Sequence, residues 1–282
     1  MGGSAANLEA VTRVSSRCRS KLLRITKAKT IDSTFRWRAF SWHLLGSGVA
    51  AVAAWLLATQ VWYPWPLAKL AGGMQLFVIV VAVDVVLGPL LTAVVANPSK
   101  RRAELVRDLA VILALQLSAL AYGMHTLALA RPAVLAFEID LFRVVSASEV
   151  DAASLNQAPP GLQTLSWTGP RTLAAVKPTS PDEQLRTIEL GLAGIPLAAL
   201  PAYWRDYSTE ASKAWQRGQP VAALIASSPE TAAAVSALAR KAGLDVATLR
   251  ALPLLARRGE GTVLLAPPDA RIVGMLPVAL PP

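Results

Sequence analysis

The chain has 282 residues, of which 54% belong to the apolar set AVILMFWYC and 16% are charged, and its net charge is +10. Soluble domains carry about 25% charged residues, so this composition excludes a disordered or collagen-like chain and argues against a purely cytosolic enzyme. Cys18 is the single cysteine, which excludes an intrachain disulfide and a Cys-based zinc site.

Residues 1–43 form a polar, basic segment, with nine Lys/Arg against Glu9 and Asp32 for a net charge of +7. Leu8, Val11, Val14, Cys18, Leu22 and Ile25 recur there at helical spacing. That stripe reads either as a helix lying on an anionic inner leaflet or as a loose tail that holds topology.

Three apolar runs follow. Leu44–Trp62 has 19 residues and no charge, Met74–Ala96 has 23 residues with Asp84 alone charged, and Leu109–Ala130 has 22 residues without a formal charge. Each reaches the ~20 residues that a helix needs to cross a hydrocarbon core. Helices are the expected form, because lipid leaves open backbone groups unsatisfied. The spacing predicts a three-helix transmembrane region over residues 44–130.

Charge sets the expected orientation. The segment 63–73 holds only Lys69, and 97–108 holds Lys100, Arg101, Arg102 and Arg107 against Glu104 and Asp108. Short basic segments stay in the cytoplasm. The N-terminus and 97–108 are therefore expected inside, and 63–73 and the tail outside. The tail, 131–282, carries 14 basic against 13 acidic residues, so it offers no basic face for nucleic acid. The first run is expected to be retained rather than cleaved as a signal peptide, since Trp62-Tyr63-Pro64-Trp65-Pro66 stands where small residues would mark a cleavage site. Trp62, Tyr63 and Trp65 fit interface anchors.

Asp84 lies eleventh of 23 positions in the second run. A charge at that depth costs ~3 kcal/mol on insertion scales, so it needs a protein partner. Tyr122 and Ser118 of the third run lie at similar depth, with Gln116 one turn nearer the cytoplasm. Asp84 either hydrogen-bonds within the bundle or receives a polar group from a client helix. Gly88-Pro89 is expected to kink the second helix and free carbonyls one turn back.

The tail has the length of one standard core. Strands are predicted at Val134–Ile139, Phe142–Ser146, Thr172–Val176, Leu249–Ala256, Thr262–Ala266 and Arg271–Pro277. Helices are predicted from Pro181 to about Ala193, over Ala202–Arg217, and from Ser228 to Gly243, where Ser is the cap and Pro the first helical residue. The whole is a membrane protein with three transmembrane α-helices followed by a small α+β extracytoplasmic domain.

Catalytic patterns are sparse. His43 and His125 both lie in or beside the apolar runs, so the tail has no imidazole and no thiol. No GxSxG, GxxxxGK[ST] or GxGxxG pattern occurs. Glu138 and Asp140 share a strand face, which serves a solvated edge or hairpin turn more readily than a carboxylate pair. No catalytic residue, cofactor or metal site is expected.

Several stretches resemble a known family. They are Arg36-Trp37-Arg38-Ala39-Phe40 with His43-Leu44, then Val61-Trp62-Tyr63-Pro64, then Val83-Asp84-Val85-Val86-Leu87-Gly88-Pro89-Leu90-Leu91-Thr92. Arg107-Asp108-Leu109-Ala110, Gln116-Leu117, Tyr122-Gly123, Ala130-Arg131-Pro132 through Phe137-Glu138, and Asp269-Ala270 through Pro277 continue the pattern. In this order they resemble the type IV pilin accessory proteins of the TfpX/TfpZ kind. The likeness is dense over 36–146 and thin over 150–260; residues 1–34 have no counterpart, and Leu141 stands where that family has Asp-Arg-Phe. The resemblance implies a non-enzymatic inner-membrane protein that assists type IV pilus assembly by acting on the major pilin, with other inner-membrane assembly proteins as further partners. The client-helix contact is then expected at Asp84, Gln116, Tyr122, Gly88 and Pro89. Two other classes stay open: a membrane-bound pilin-modifying enzyme, which would need a carboxylate cleft on the tail, and a membrane receptor with a periplasmic sensing domain.

Overall fold

The computed structural model describes residues 33–281. The stripe from Leu8 to Ile25, with Cys18, lies outside the described residues. Three helices are long and apolar enough to cross a membrane: Ser33–Trp62, Phe77–Val95 and Arg102–Ala130. The first is α1, whose last turns, Leu57–Trp62, are π-wound. A short helix α2 spans Leu67–Leu70. The second crossing is built from α3 (Gly73–Ala82), a π-wound turn Val83–Leu87 and α4 (Gly88–Val95). The third is α5, Arg102–Ala130. The chain divides into two compact units, one holding residues up to Val52 with Ile79–Ala121 and the other holding Ala53–Val78 with Tyr122–Pro282.

In the first unit the apolar side chains point outward. Val49, Ile79, Val86, Leu90 and Leu115 are all exposed; a continuous surface of that kind suits lipid tails rather than water. Polar contacts tie the helices at one end. Arg36 Nε donates to the Ala96 carbonyl at 2.9 Å, just past the end of α4, where helix carbonyls lack main-chain donors. Lys100 pairs with Asp108 at 2.9 Å.

The second unit is built on an eight-stranded sheet. Its strands are β1 (Pro132–Glu138), β2 (Leu141–Ser146), β3 (Arg171–Ala175), β4 (Trp204–Arg205), β5 (Gln219–Pro220), β6 (Arg250–Ala256), β7 (Gly259–Ala266) and β8 (Arg271–Leu276). The order is β4-β3-β1-β2-β6-β7-β8, with β5 beside β6. β1 pairs parallel with β3, β2 pairs parallel with β6, and the other pairings are antiparallel.

Side-chain alternation along a strand sends neighbours to opposite faces, and here both faces are covered. Leu135, Phe137, Leu252, Leu254, Val263 and Leu265 join Phe142 on one face, packed by Leu67 and Leu70 of α2 and by Ala211 and Ala214. The segment between the first two apolar helices is thus part of the domain core. On the other face Val134 and Ala136 pack with Leu197–Ala199 and Trp204 at one end. Ala251, Leu264 and Ala266 pack with Val235 and Ala239 at the other.

The helices α6 (Pro181–Leu192), α7 (Ala211–Arg217), α8 (Ala222–Ser227) and α9 (Pro229–Ala242) complete the domain. In α9, Ser228 accepts from the Thr231 amide at 3.1 Å and Gly243 takes the left-handed φ of 69° that a helix end asks for. The expected helix over Ala202–Arg217 is not one helix: only Ala211–Arg217 is α-helical. Trp204 is buried in the core, its indole donates to the Ala198 carbonyl at 2.9 Å, and β4 pairs with β3. The Asp206 carboxylate then accepts from the Ser208 amide and hydroxyl at 2.9 and 2.6 Å, which stabilises a turn against helix.

Candidate functional site

In the first unit, α1, the π turn with α4, and α5 line a cavity of about 540 Å³. Its walls are apolar: Ala39, Trp42, Gly46, Ala50, Val81, Leu113, Leu117 and Leu120. Asp84, Gln116, His43 and Thr92 supply the polar groups.

Local sequence explains the acidic floor. Pro89 has no N–H. In a π-wound turn the carbonyl five residues back, that of Asp84, therefore lacks its main-chain donor. Gln116 of α5 supplies one: its Nε2 donates to the Asp84 carbonyl at 2.9 Å. Gly88 makes the approach possible, since a Cβ there would collide with the Gln116 carboxamide. Of the kink and freed carbonyls expected at Gly88-Pro89, the structure shows the freed Asp84 carbonyl, within a π-wound turn over Val83–Leu87.

Asp84 is 8% exposed. Its Oδ1 and the Gln116 Oε1 are the two buried side-chain polar atoms without a hydrogen-bond partner among the described residues. Both are acceptors, and a buried unpaired acceptor costs about 1–3 kcal/mol.

The structure therefore brings Asp84, Gln116 and Gly88 together, with Pro89 buried beside them. Tyr122 stands exposed on α5 in the second unit. Tyr63 is buried, its hydroxyl donating to the Leu127 carbonyl at 3.0 Å. Burial pushes that phenol up to about 12, against a smaller opposing effect of the nearby Arg131 charge. Trp65 is exposed and Trp62 half-buried. His43 was not singled out by sequence; its Nδ1 lies 2.5 Å from Thr92 Oγ1 on the groove wall. Depth matching would have found the pair, since His43 directly precedes the first run and Thr92 nears the close of the antiparallel second.

On the sheet domain, Glu138 is paired with Arg143 at 2.9 Å rather than with Asp140. Among the described residues no group of three or more His, Cys, Asp or Glu could hold a metal ion.

Three helices long and apolar enough to cross a membrane, followed by a sheet domain packed on both faces, suggest a membrane-associated protein of mixed helix and sheet. Comparison with known proteins is specific. The family model of the fimbrial assembly protein FimB matches residues 32–72. The fimbrial assembly protein of serogroup E1 from Dichelobacter nodosus is 34% identical over 217 residues, covering 77% of this chain and 84% of that protein. Its serogroup I counterpart is 34% identical over 216 residues, covering 76% and 84%. That of serogroups C1 and C2 is 43% identical over 115 residues, covering 41% of this chain and 87% of that protein. The chain belongs to the fimbrial assembly protein family and takes part in fimbrial assembly. No solved structure matches it.

Proposed function

We propose that this chain is a non-enzymatic accessory protein of type IV pilus assembly that binds or stabilises the major pilin in the lipid bilayer. Three spans hold it in the inner membrane, with the N-terminus cytoplasmic and residues 131–282 periplasmic. The short segment 63–73 has its Leu67 and Leu70 in the sheet core, which fits a shared side for that segment and the tail.

The observation that carries the reading is the groove. Its walls suit an apolar helix, and its floor holds two unpaired acceptors, Asp84 Oδ1 and Gln116 Oε1. In hydrocarbon such groups demand donors, and the polar end of a pilin helix brings them.

The test is Asp84→Asn and Asp84→Ala in cells making pilin, read as surface pili and as the level of this chain. Few pili at a normal chain level is the expected result. Normal piliation overturns the reading, and loss of the chain itself would assign Asp84 a purely structural part. A photocrosslinker placed at Leu113, on the groove wall, is expected to capture pilin.

A further inference from the structure

We propose that a second cavity, at the Trp62 end of α1, is a binding site for the headgroup of an anionic phospholipid; this rests on the reading that the three apolar helices span a bilayer. The cavity has a volume of about 660 Å³ and lies wholly within the second unit, with Trp55, Trp65, Lys69, Gly72, Gln75 and Arg258 among its walls.

Two cations line it. Lys69 lies in the last turn of α2, is exposed, and forms no ion pair among the described residues. Arg258 comes from the turn between β6 and β7. Its amide donates to the Leu70 carbonyl at 3.1 Å, which fixes the turn against α2. Its side chain crosses Gly72, where φ is +79° and any Cβ would strike the Arg258 chain. Its Nη1 donates to Gln75 Oε1, leaving most of the guanidinium N–H donors open. No carboxylate lines the cavity. Two cations on one cavity without a counter-charge among its walls ask for an anion.

The shape says which anion. Trp55 lies seven residues before the end of α1, about 10 Å along the helix. The cavity therefore runs from the apolar body of α1 to the basic mouth beyond its end. A free phosphate would fill the mouth alone. A phospholipid fills both parts, with phosphate between Lys69 and Arg258 and the first methylenes beside Trp55. Trp65, 70% exposed, stands where aromatic rings settle at a membrane surface.

The full chain, purified in mild detergent, is titrated with phosphatidylglycerol and the bound lipid counted by native mass spectrometry. Phosphatidylcholine and inorganic phosphate serve as separate arms. Retention of phosphatidylglycerol over both is expected. The double variant Lys69→Gln, Arg258→Gln should bind it about thirtyfold more weakly, from roughly 1 kcal/mol per basic side chain near an anionic lipid. Arg258→Lys keeps the charge and should retain most binding, which separates charge from any local loss of fold; Arg186→Gln on α6 should change nothing. Unaltered binding in the double variant overturns the proposal. So does equal retention of phosphatidylcholine, equal competition by inorganic phosphate, or a photocrosslinker at Trp65 that captures polypeptide instead of lipid. Tags at Met1 and Pro282 placed on one side of the membrane would instead sink the spanning topology, a separate failure.

Discussion

The carboxamide of Gln116 on α5 donates to the main-chain carbonyl of Asp84, 2.9 Å away on the neighbouring π turn. The bond joins two helices through a backbone group that Pro89 leaves without a donor. It also fixes Gln116 so that its oxygen is the atom left unpaired, as is the Asp84 Oδ1.

That arrangement predicts a coupling between Gly88 and Gln116. A methyl at Gly88 meets the Gln116 carboxamide head on, so Gly88→Ala should destabilise the detergent-solubilised chain by about 1–3 kcal/mol, the usual range for overpacking. In a Gln116→Ala background the space is free and most of that loss should vanish. A double-mutant cycle on thermal stability checks it. Additive effects would mean that the two residues do not touch.

Much of this region was legible in the sequence. Asp84 stood alone in a 23-residue apolar run, and Gly88-Pro89 marked the freed carbonyl one turn back. The acceptor pair was not legible, because it depends on which helix face α5 turns inward. In the tail, the capped helix α9 was readable from Ser228, Pro229 and Gly243, since those signals are local. The stretch Ala202–Arg217 misled for the opposite reason: Trp204 is held by the Ala198 carbonyl and by β3, contacts that a helical spacing cannot reveal. The six residues of α8 were too few to show a period.

A second prediction concerns the β1–β2 turn. Ile139 has φ 63°, a left-handed conformation that costs a β-branched residue roughly 1–2 kcal/mol. The side chain is 46% exposed, so little packing is lost on truncation. Ile139→Gly should therefore stabilise the domain by about 1 kcal/mol after the added unfolded-state entropy of glycine is counted. A lower melting temperature in Ile139→Gly than in the parent would show that the turn holds no strain.

Capping gives a third. Ser228 accepts from the Thr231 amide at 3.1 Å and lies 3.0 Å from its hydroxyl. Ser228→Ala should cost ~1 kcal/mol, while Ser228→Asp, which keeps an acceptor, should cost little. Denaturant unfolding of the full chain in detergent reads both, and equal losses would remove the cap from the account of α9.

Alkaline pH offers the fourth test. Tyr63 donates to the Leu127 carbonyl at 3.0 Å and Tyr207 to the Ala270 carbonyl at 2.7 Å. Burial pushes both phenols up to about 12, and for Tyr207 the Asp269 charge adds to it. An unfolded tyrosine titrates near 10. Between those values the unfolded chain has released the protons and the folded chain still holds them, so stability falls as pH rises. The contribution is complete below about pH 10 and gone once the folded groups ionise. Thermal melts from pH 9 to 12 should therefore fall steeply above 10. Tyr63→Phe should lose about 1 kcal/mol at neutral pH, the worth of one buried hydrogen bond, and show a shallower alkaline slope. If the slope is unchanged in both Tyr63→Phe and Tyr207→Phe, the proton release comes from elsewhere, and the tie between the Trp62 end of α1 and the last turn of α5 does not depend on this hydroxyl.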